Sequence, residues 1–264
     1  PVLLPDTQCA RAINVTFRGG LVSTRPAFSE VAGPTDTGAF RGAGRWSLEG
    51  SERLVFVLGN SVYALDIASP VPEVVATRPG PFTQCYFIQA DRYLVIQDAV
   101  GDPLVLQDTD GVISVVPSGV SLPRGYFGIY AHGRIHYVPT LVPNTKISGK
   151  PYLISSDILD PSNPEYVLKY TEKEYLAEGG AHALPAELGF IGGLGVLRNA
   201  QTGTGLGAII ALARNGLCAF DFSISRSLWK EQAISNVLFT GAGCRSPRAV
   251  AGLNDDLVYR AVDG

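Results

Sequence analysis

Methionine is absent from the 264-residue chain, position 1 included. The chain therefore does not open at an initiator, and we expect a processed product or, better, the ordered piece of a longer polypeptide. Charge is scarce: Asp, Glu, Lys and Arg make up 17%, against about 25% in an average globular domain. That shortage predicts surface buried against other chains. The net charge of −3 and isoelectric point near 5.6 argue against a dedicated nucleic-acid or anionic-membrane binder, which is normally basic. No apolar run reaches the roughly 20 residues of a membrane span. No basic, apolar, small-residue leader opens the chain.

Cysteine and histidine are equally sparse. Cys9, Cys85, Cys218 and Cys244 have neither the spacing of metal ligands nor the density of a disulfide scaffold. They read as small buried hydrophobes, with a disulfide between distant positions left open. The three histidines are His132, His136 and His182. The first two lie four apart, which would align them on a helix, but Gly133 between them reads as a hairpin turn. No H-E-x-x-H or C-x2-C accompanies them, so we expect no metal and no cofactor. Gly203-Thr204-Gly205-Leu206-Gly207 and Ser148-Gly149-Lys150-Pro151 both lack the ending and spacing of a phosphate loop. No G-x-S-x-G elbow occurs. Asp108-x-Asp110-Gly111 begins like a calcium loop but lacks its closing Glu, and Asn14-Val15-Thr16 is a sequon that means nothing without secretion. A carboxylate pair assembled from a distance is the one catalytic option left, with Asp157, Asp160 and Glu165 its best candidates. The expectation is no catalytic residue and no enzyme.

What the chain has in excess is turns, with 30 glycines and 18 prolines spread along it. Between them lie short apolar runs of strand length. Arg53–Leu58 and Ser61–Ile67 flank Gly59-Asn60. Cys85–Gln89 and Tyr93–Gln97 flank Ala90-Asp91-Arg92. Pro103–Gln107 and Val112–Val116 flank Asp108-Thr109-Asp110-Gly111, where Asp-Gly is a strong hairpin signal. Glu73–Ala76 adds a further strand. The pieces repeat: 53–67 resembles 92–108, an offset of about 40 residues, and looser copies run over 125–139, 207–223 (turn at Asn215-Gly216) and 247–264. Four strands per roughly 40 residues is the spacing of β-propeller blades. The fold class expected is thus all-β, with repeated four-stranded blades, and a β-sandwich is the alternative. The unalternated run RLVFVL predicts cover on both faces of its strand.

Two regions depart from the repeat. Residues 1–45 read as an extended arm lying on a neighbouring surface, with one strand in Ala12–Phe17 and a loop or linker over Gly33–Arg45. Residues 46–264 hold the blades. Within them, 140–200 is a long insertion or an elaborated blade, whose prolines exclude a long helix. Thr171–Glu178 there predicts one short helix with Thr171 as its cap.

Two segments carry a family resemblance. Ala12–Gly20 (AINVTFRGG) followed by Thr24-Arg25-Pro26 resembles the opening of tail-tube and nozzle-type virion proteins of tailed phages. Gly243-Cys244-Arg245-Ser246-Pro247-Arg248-Ala249-Val250, then Asn254–Arg260 and Asp263-Gly264, is similar to a later segment of the same family, with Ala249 where that pattern favours Ser. Together they cover about a fifth of the chain. The resemblance implies a nozzle subunit in a closed, six-fold homo-oligomeric ring around the DNA exit channel. It also implies a tail adaptor and tail fibre proteins as partners, and further blades beyond Gly264. The protein would then be made in the host cytoplasm and reside in the virion. DNA would pass the lumen without sequence-specific binding, and a low net charge suits a conduit through which it slides. Arg18, Gly19, Gly20, Thr24, Arg25 and Pro26 become a candidate assembly motif: glycines permit positive φ and arginines offer forked donors. The rivals are a glycan-binding or glycan-cleaving propeller tail protein and a cellular propeller adaptor.

Overall fold

The computed structural model describes residues 15–18, 21–24, 33–34, 38–48, 51–68, 71–116, 120–171, 179–198, 207–229, 234–253 and 255–261. The chain divides into two units, Pro1–Gly33 and Pro34–Gly264. In the first, β1 (Val15–Arg18) pairs antiparallel with β2 (Leu21–Thr24), Arg18 opposite Leu21. This region thus contains a two-stranded hairpin where one strand was expected. Gly19, Gly20, Arg25 and Pro26 of the candidate assembly motif, and Cys9, lie outside the described residues.

The second unit is a succession of antiparallel sheets, each a meander in chain order. The first sheet is β3 (Phe40–Leu48), β4 (Ser51–Leu58), β5 (Ser61–Asp66) and β6 (Glu73–Thr77). The second is β7 (Tyr86–Ala90), β8 (Tyr93–Gln97), β9 (Leu104–Thr109) and β10 (Val112–Val115). The third is β11 (Gly125–Ala131), β12 (Arg134–Pro139), β13 (Tyr152–Ser155) and β14 (Gly180–Ala183). The fourth is β15 (Ile191–Leu197), β16 (Ala208–Ala213), β17 (Gly216–Phe220) and β18 (Ser235–Thr240). A two-stranded fifth is β19 (Val250–Leu253) and β20 (Asp256–Tyr259). These are propeller-like blades, not the two facing sheets of a sandwich. Among the described residues there is no α-helix, none long and apolar enough to cross a membrane, and no strand shared between the first and fifth sheets.

Consecutive sheets pack face to face, with β3 against β7, β7 against β11, β11 against β15 and β15 against β19. Each interface has its own apolar core. Val55, Val57, Val62, Leu94 and Ile96 fill the first. Tyr93, Val95, Ile135, Tyr137 and Ile154 fill the second. Leu153, Leu188, Ile209, Ala211 and Phe220 fill the third, and Ile210, Leu212 and Cys244 the fourth. Strands β8, β12 and β16 are buried at every residue, because alternate side chains enter cores on opposite faces. That is why YLVIQ and AIIALA are nearly continuous apolar runs, while RIHYVP buries Arg134 and His136 among its apolar residues. Burying one such side chain contributes roughly 1.5–3 kcal/mol.

RLVFVL in β4 behaves differently. Val55 and Val57 are fully buried against the second sheet, whereas Leu54 on the other face is 37% exposed. The expected cover on both faces is therefore found on one only. Cover on the second face requires another sheet there, and the described sheets stack on one side of the first.

The glycine-rich stretch read as a linker up to Arg45 is in part a strand: β3 starts at Phe40, so the blades begin before residue 46. Glycine serves close approach here rather than looseness. A Cβ on Gly44 would lie 2.6 Å from Phe87 Cβ on β7. Others would lie 2.8 Å from Ile88 Cδ1 at Gly128 and 2.5 Å from Val250 Cγ2 at Gly193. The first strands can approach their neighbours because these positions carry no side chain.

The hairpin turns form as read at His132-Gly133 (φ 53° and 70°) and Asp110-Gly111 (φ 52° and 88°), the positive pair that a two-residue hairpin loop requires. The fourth turn shifts by one residue, to Arg214-Asn215, since Ala213 pairs with Gly216. The phase of the repeat also differs. Segments 53–67, 92–108 and 207–223 are second–third strand pairs, whereas 125–139 and 247–264 contain first–second pairs. The supposed insertion 140–200 holds β13, β14 and β15, so it is an elaborated third blade and the start of the fourth. The helix expected over Thr171–Glu178 lies outside the described residues after Thr171.

Loops between sheets are tied by buried polar groups. The Asp98 carboxylate, 1% exposed, pairs with Arg78 and accepts from the main-chain N–H of Thr83, Val100 and Gly101 at 3.0–3.1 Å. Burial alone would raise its pKa. The Arg78 and main-chain hydrogen bonds outweigh that and hold it down to about 2. Asp108 pairs with Arg53 at 2.8 Å and accepts from Gly111 N–H at 2.8 Å. It therefore closes a hairpin and bridges two sheets.

A Gly44→Val substitution places a branched side chain where even a Cβ collides with Phe87. We expect a loss of about 1–3 kcal/mol, read as a lower urea midpoint. An unchanged midpoint would contradict the close packing of β3 on β7.

Candidate functional site

The candidate sites are the polar cluster between the third and fourth sheets, the carboxylates of the third blade, and the apolar faces of the first and fifth sheets. The cluster gathers the side chains that sequence spacing had scattered. His136 on β12 lies opposite Ser155 on β13, which lies opposite Gly180 on β14. His182, two residues along β14 from Gly180, shares that face. The Phe222 ring, from the segment after β17, lies 4.7 Å from His136 and 5.0 Å from His182. Trp229 stands edge-on to His182 at 5.1 Å and donates its indole N–H to Ile224 O at 3.0 Å. Arg134 and Arg226 lie over the same indole, 5.1 and 4.8 Å from its centroid. Gly180 admits them: a Cβ there would meet Trp229 Cζ3 at 3.2 Å. The signal that could have found this cluster is strand order, since adjacent strands turn distant positions into neighbours.

The hydrogen bonds fix what the cluster can do. His136 Nε2 lies 3.2 Å from Ala131 O, which only accepts, so Nε2 carries the proton and Nδ1 accepts from Ser155 Oγ at 2.8 Å. Nucleophile, base and orienting acceptor are thus in series, as in acyl-transfer enzymes. Yet His136 and Ser155 are both 0% exposed, and no substrate carbonyl can reach Ser155 Oγ. Burial, then the neighbouring His132, Arg134 and His182, push His136 well below its ordinary pKa. Burial and then Arg226 push His182 down to about 4. His136 and His182 are neutral packing groups near neutral pH.

Each candidate carboxylate of the third blade has its own local setting. Asp157 is buried and accepts from Thr171 N–H, Thr171 Oγ and Gly179 N–H at 2.8–3.0 Å. It clamps both ends of the 171–179 connection. Asp160 accepts from Ser162 N–H and Asn163 Nδ2 and closes its own turn. Glu165 sits in a short 3-10 turn, Pro164–Leu168. Among the described residues no group of three or more His, Cys, Asp or Glu is arranged to hold a metal. Cys85, Cys218 and Cys244 are buried free thiols, with burial pushing Cys85 up to about 12 and Cys218 to about 11.

The candidate assembly motif contributes Arg18 at the end of β1 and Thr24 at the end of β2. The second resembling segment connects the fourth and fifth sheets. Cys244 N–H donates to Ala213 O at 2.8 Å, and Ser246 caps the Pro247–Ala249 turn that leads into β19.

The first and fifth sheets each expose apolar residues on the face turned from their neighbour. On the first, Phe40, Leu54 and Val74 are 64%, 37% and 55% exposed. The strand register puts them on one face with the stacked pair Phe56–Tyr63. On the fifth, Val250, Leu257 and Tyr259 pack on the fourth sheet, while Leu253 and Val258 are 62% and 52% exposed.

No protein-family model matches this chain, and no curated protein matches it in sequence.

The histidine cluster has a pH consequence. The unfolded chain takes up a proton on His182 near 6.5, whereas the folded chain does so only near 4. The stability that His182 contributes is therefore fully present above about 6.5 and is lost as pH falls towards 4, by up to about 3 kcal/mol. A His182→Gln variant should lose less between pH 7 and pH 4.5 in thermal melts. An equal loss in variant and parent would rule out His182 as its source.

Proposed function

We propose that the chain is a structural subunit of a phage tail nozzle, working in a closed homo-oligomeric ring around the DNA exit channel. The observation that carries the reading is the pair of apolar sheet faces just described. In a chain with so little charge, exposed apolar faces at both ends of a sheet array suit burial against other subunits. The two resembling segments support the same reading. So does the occupation of Asp98, Asp108, Asp157 and His136 by hydrogen bonds and ion pairs within the fold. In this reading the ring is six-fold and docks on a tail adaptor, tail fibre proteins are neighbours, and DNA slides past a surface with little positive charge.

A second reading, glycan binding or cleavage, is favoured by one feature. An open cleft of about 930 Å³ is lined by Gln89, Asp91, Arg92, Asp110 and Tyr130. Release of reducing sugar from host surface glycans, lost on Asp91→Asn or Asp110→Asn, would select it.

The assembly reading is tested by mass. One chain is 28.0 kDa. Light scattering after size exclusion should give a discrete multiple of the protomer mass, and electron microscopy should give rings. Phe40→Asp with Leu253→Asp should reduce the assembly to monomer while leaving the circular dichroism spectrum unchanged. A monomer under all conditions, with no ring in purified virions, would contradict the reading.

A further inference from the structure

Where the first strands of the second, third and fourth sheets begin, a cleft of about 640 Å³ opens. That is the size of a small-molecule site. Its aromatic walls include Tyr86 at the start of β7, Tyr126 on β11 and Phe190 just before β15. Its cations are Lys150, Arg214 and Arg245, and no carboxylate is among the residues that line it. Three cations without an acid are unusual in a chain of net charge −3. Phe190 is 51% exposed, so a flat apolar surface faces solvent beside the charges.

The backbone holds these groups in place. Lys150 O accepts from Ile191 N–H at 3.0 Å, and Gly149 N–H donates to Thr140 O at 3.0 Å. A Cβ on Gly149 would strike Pro139 O at 2.2 Å, so only glycine lets the loop close and bring Lys150 to the cleft. The Lys150 ammonium then stands between two rings, 5.6 Å from the Tyr126 centroid and 5.7 Å from that of Phe190. Arg214 N–H donates to Phe190 O at 2.9 Å. Arg245 is brought in by the Gly243–Val250 segment, which lies on β15 because Gly192 has no side chain: a Cβ there would sit 1.9 Å from Cys244 O. Ser148–Pro151 and Gly243–Val250, the latter the connection between the fourth and fifth sheets, thus meet at one cleft.

We propose that this cleft binds a nucleotide, with its phosphate on Lys150, Arg214 and Arg245 and its base stacked on the exposed Phe190 ring and Tyr126. Guanidinium and ammonium groups recognise phosphate through charge-assisted hydrogen bonds. Aromatic faces hold bases by stacking without reading their sequence. A sugar is disfavoured, because its hydroxyls need acceptors as well as donors and the charged side chains here only donate. The inference is independent of the assembly reading.

The test is calorimetric titration of the intact protein with deoxyadenosine 5′-monophosphate, deoxyadenosine, inorganic phosphate and glucuronate. The nucleotide should bind saturably and more weakly at high salt. Binding should weaken by about tenfold or more in Lys150→Ala and in Arg245→Ala, the loss of one charge-assisted contact. Deoxyadenosine should bind at least about tenfold more weakly than the nucleotide for the same reason. Lys150 and Arg245 are exposed, so both variants should keep the parent melting temperature. The proposal is overturned by no saturable nucleotide binding at millimolar concentration, or by binding unchanged in both variants. Phosphate or glucuronate binding as tightly as the nucleotide would also overturn it, since that marks an anion site without base recognition.

Discussion

Everything in this structure depends on sheets lying close enough to bury both faces of their middle strands. A four-stranded meander alone has two apolar faces and no core. Here β8, β12 and β16 are buried throughout because each sheet is sandwiched between two others. The limiting contact is between first strands, where Gly44, Gly128 and Gly193 let neighbouring chains approach to distances that a methyl group would forbid. Dispersion and hydrophobic burial then act across well-filled interfaces. The same closeness traps polar groups, and each trapped carboxylate is met by donors: Asp98 by Arg78 and three main-chain N–H groups, Asp157 by Thr171 and Gly179. An unmet buried charge would cost several kcal/mol.

How much of this was legible follows from the range of the interactions. Turns are local, and Asp110-Gly111 and His132-Gly133 could be read directly because two-residue hairpin loops demand positive φ. Continuous burial is expected of RLVFVL, which is covered on one face, whereas YLVIQ and AIIALA are the runs buried throughout. The phase of the repeat was not legible, since a hairpin signature is the same for a first–second or a second–third strand pair. The glycines of β3 were misread as a linker because glycine marks looseness and close approach alike. The missing cover over Leu54 depends on what lies beyond the sheet, which no run of six residues encodes.

The chemistry-bearing side chains repeat this lesson. His136 and His182 are 46 residues apart in sequence and share one face of a sheet only because β12, β13 and β14 are adjacent. What looks like a Ser–His pair is a sealed packing contact, so reactivity is denied by burial rather than by residue type. Lys150 shows the converse. Its local motif fails as a phosphate loop, and the third dimension gives it two rings and two arginines as company.

The central claim, that the middle strands are enclosed by successive sheets, is tested most directly by native-state amide hydrogen exchange followed by mass spectrometry. Peptides covering Tyr93–Gln97, Arg134–Pro139 and Ala208–Ala213 should exchange only through the largest opening free energy of the molecule, and all three should respond alike to low denaturant. Asp256–Tyr259, in the two-stranded fifth sheet, should exchange through smaller local openings. Rapid exchange of Arg134–Pro139 or Ala208–Ala213, on the scale of that fifth sheet, would contradict the account.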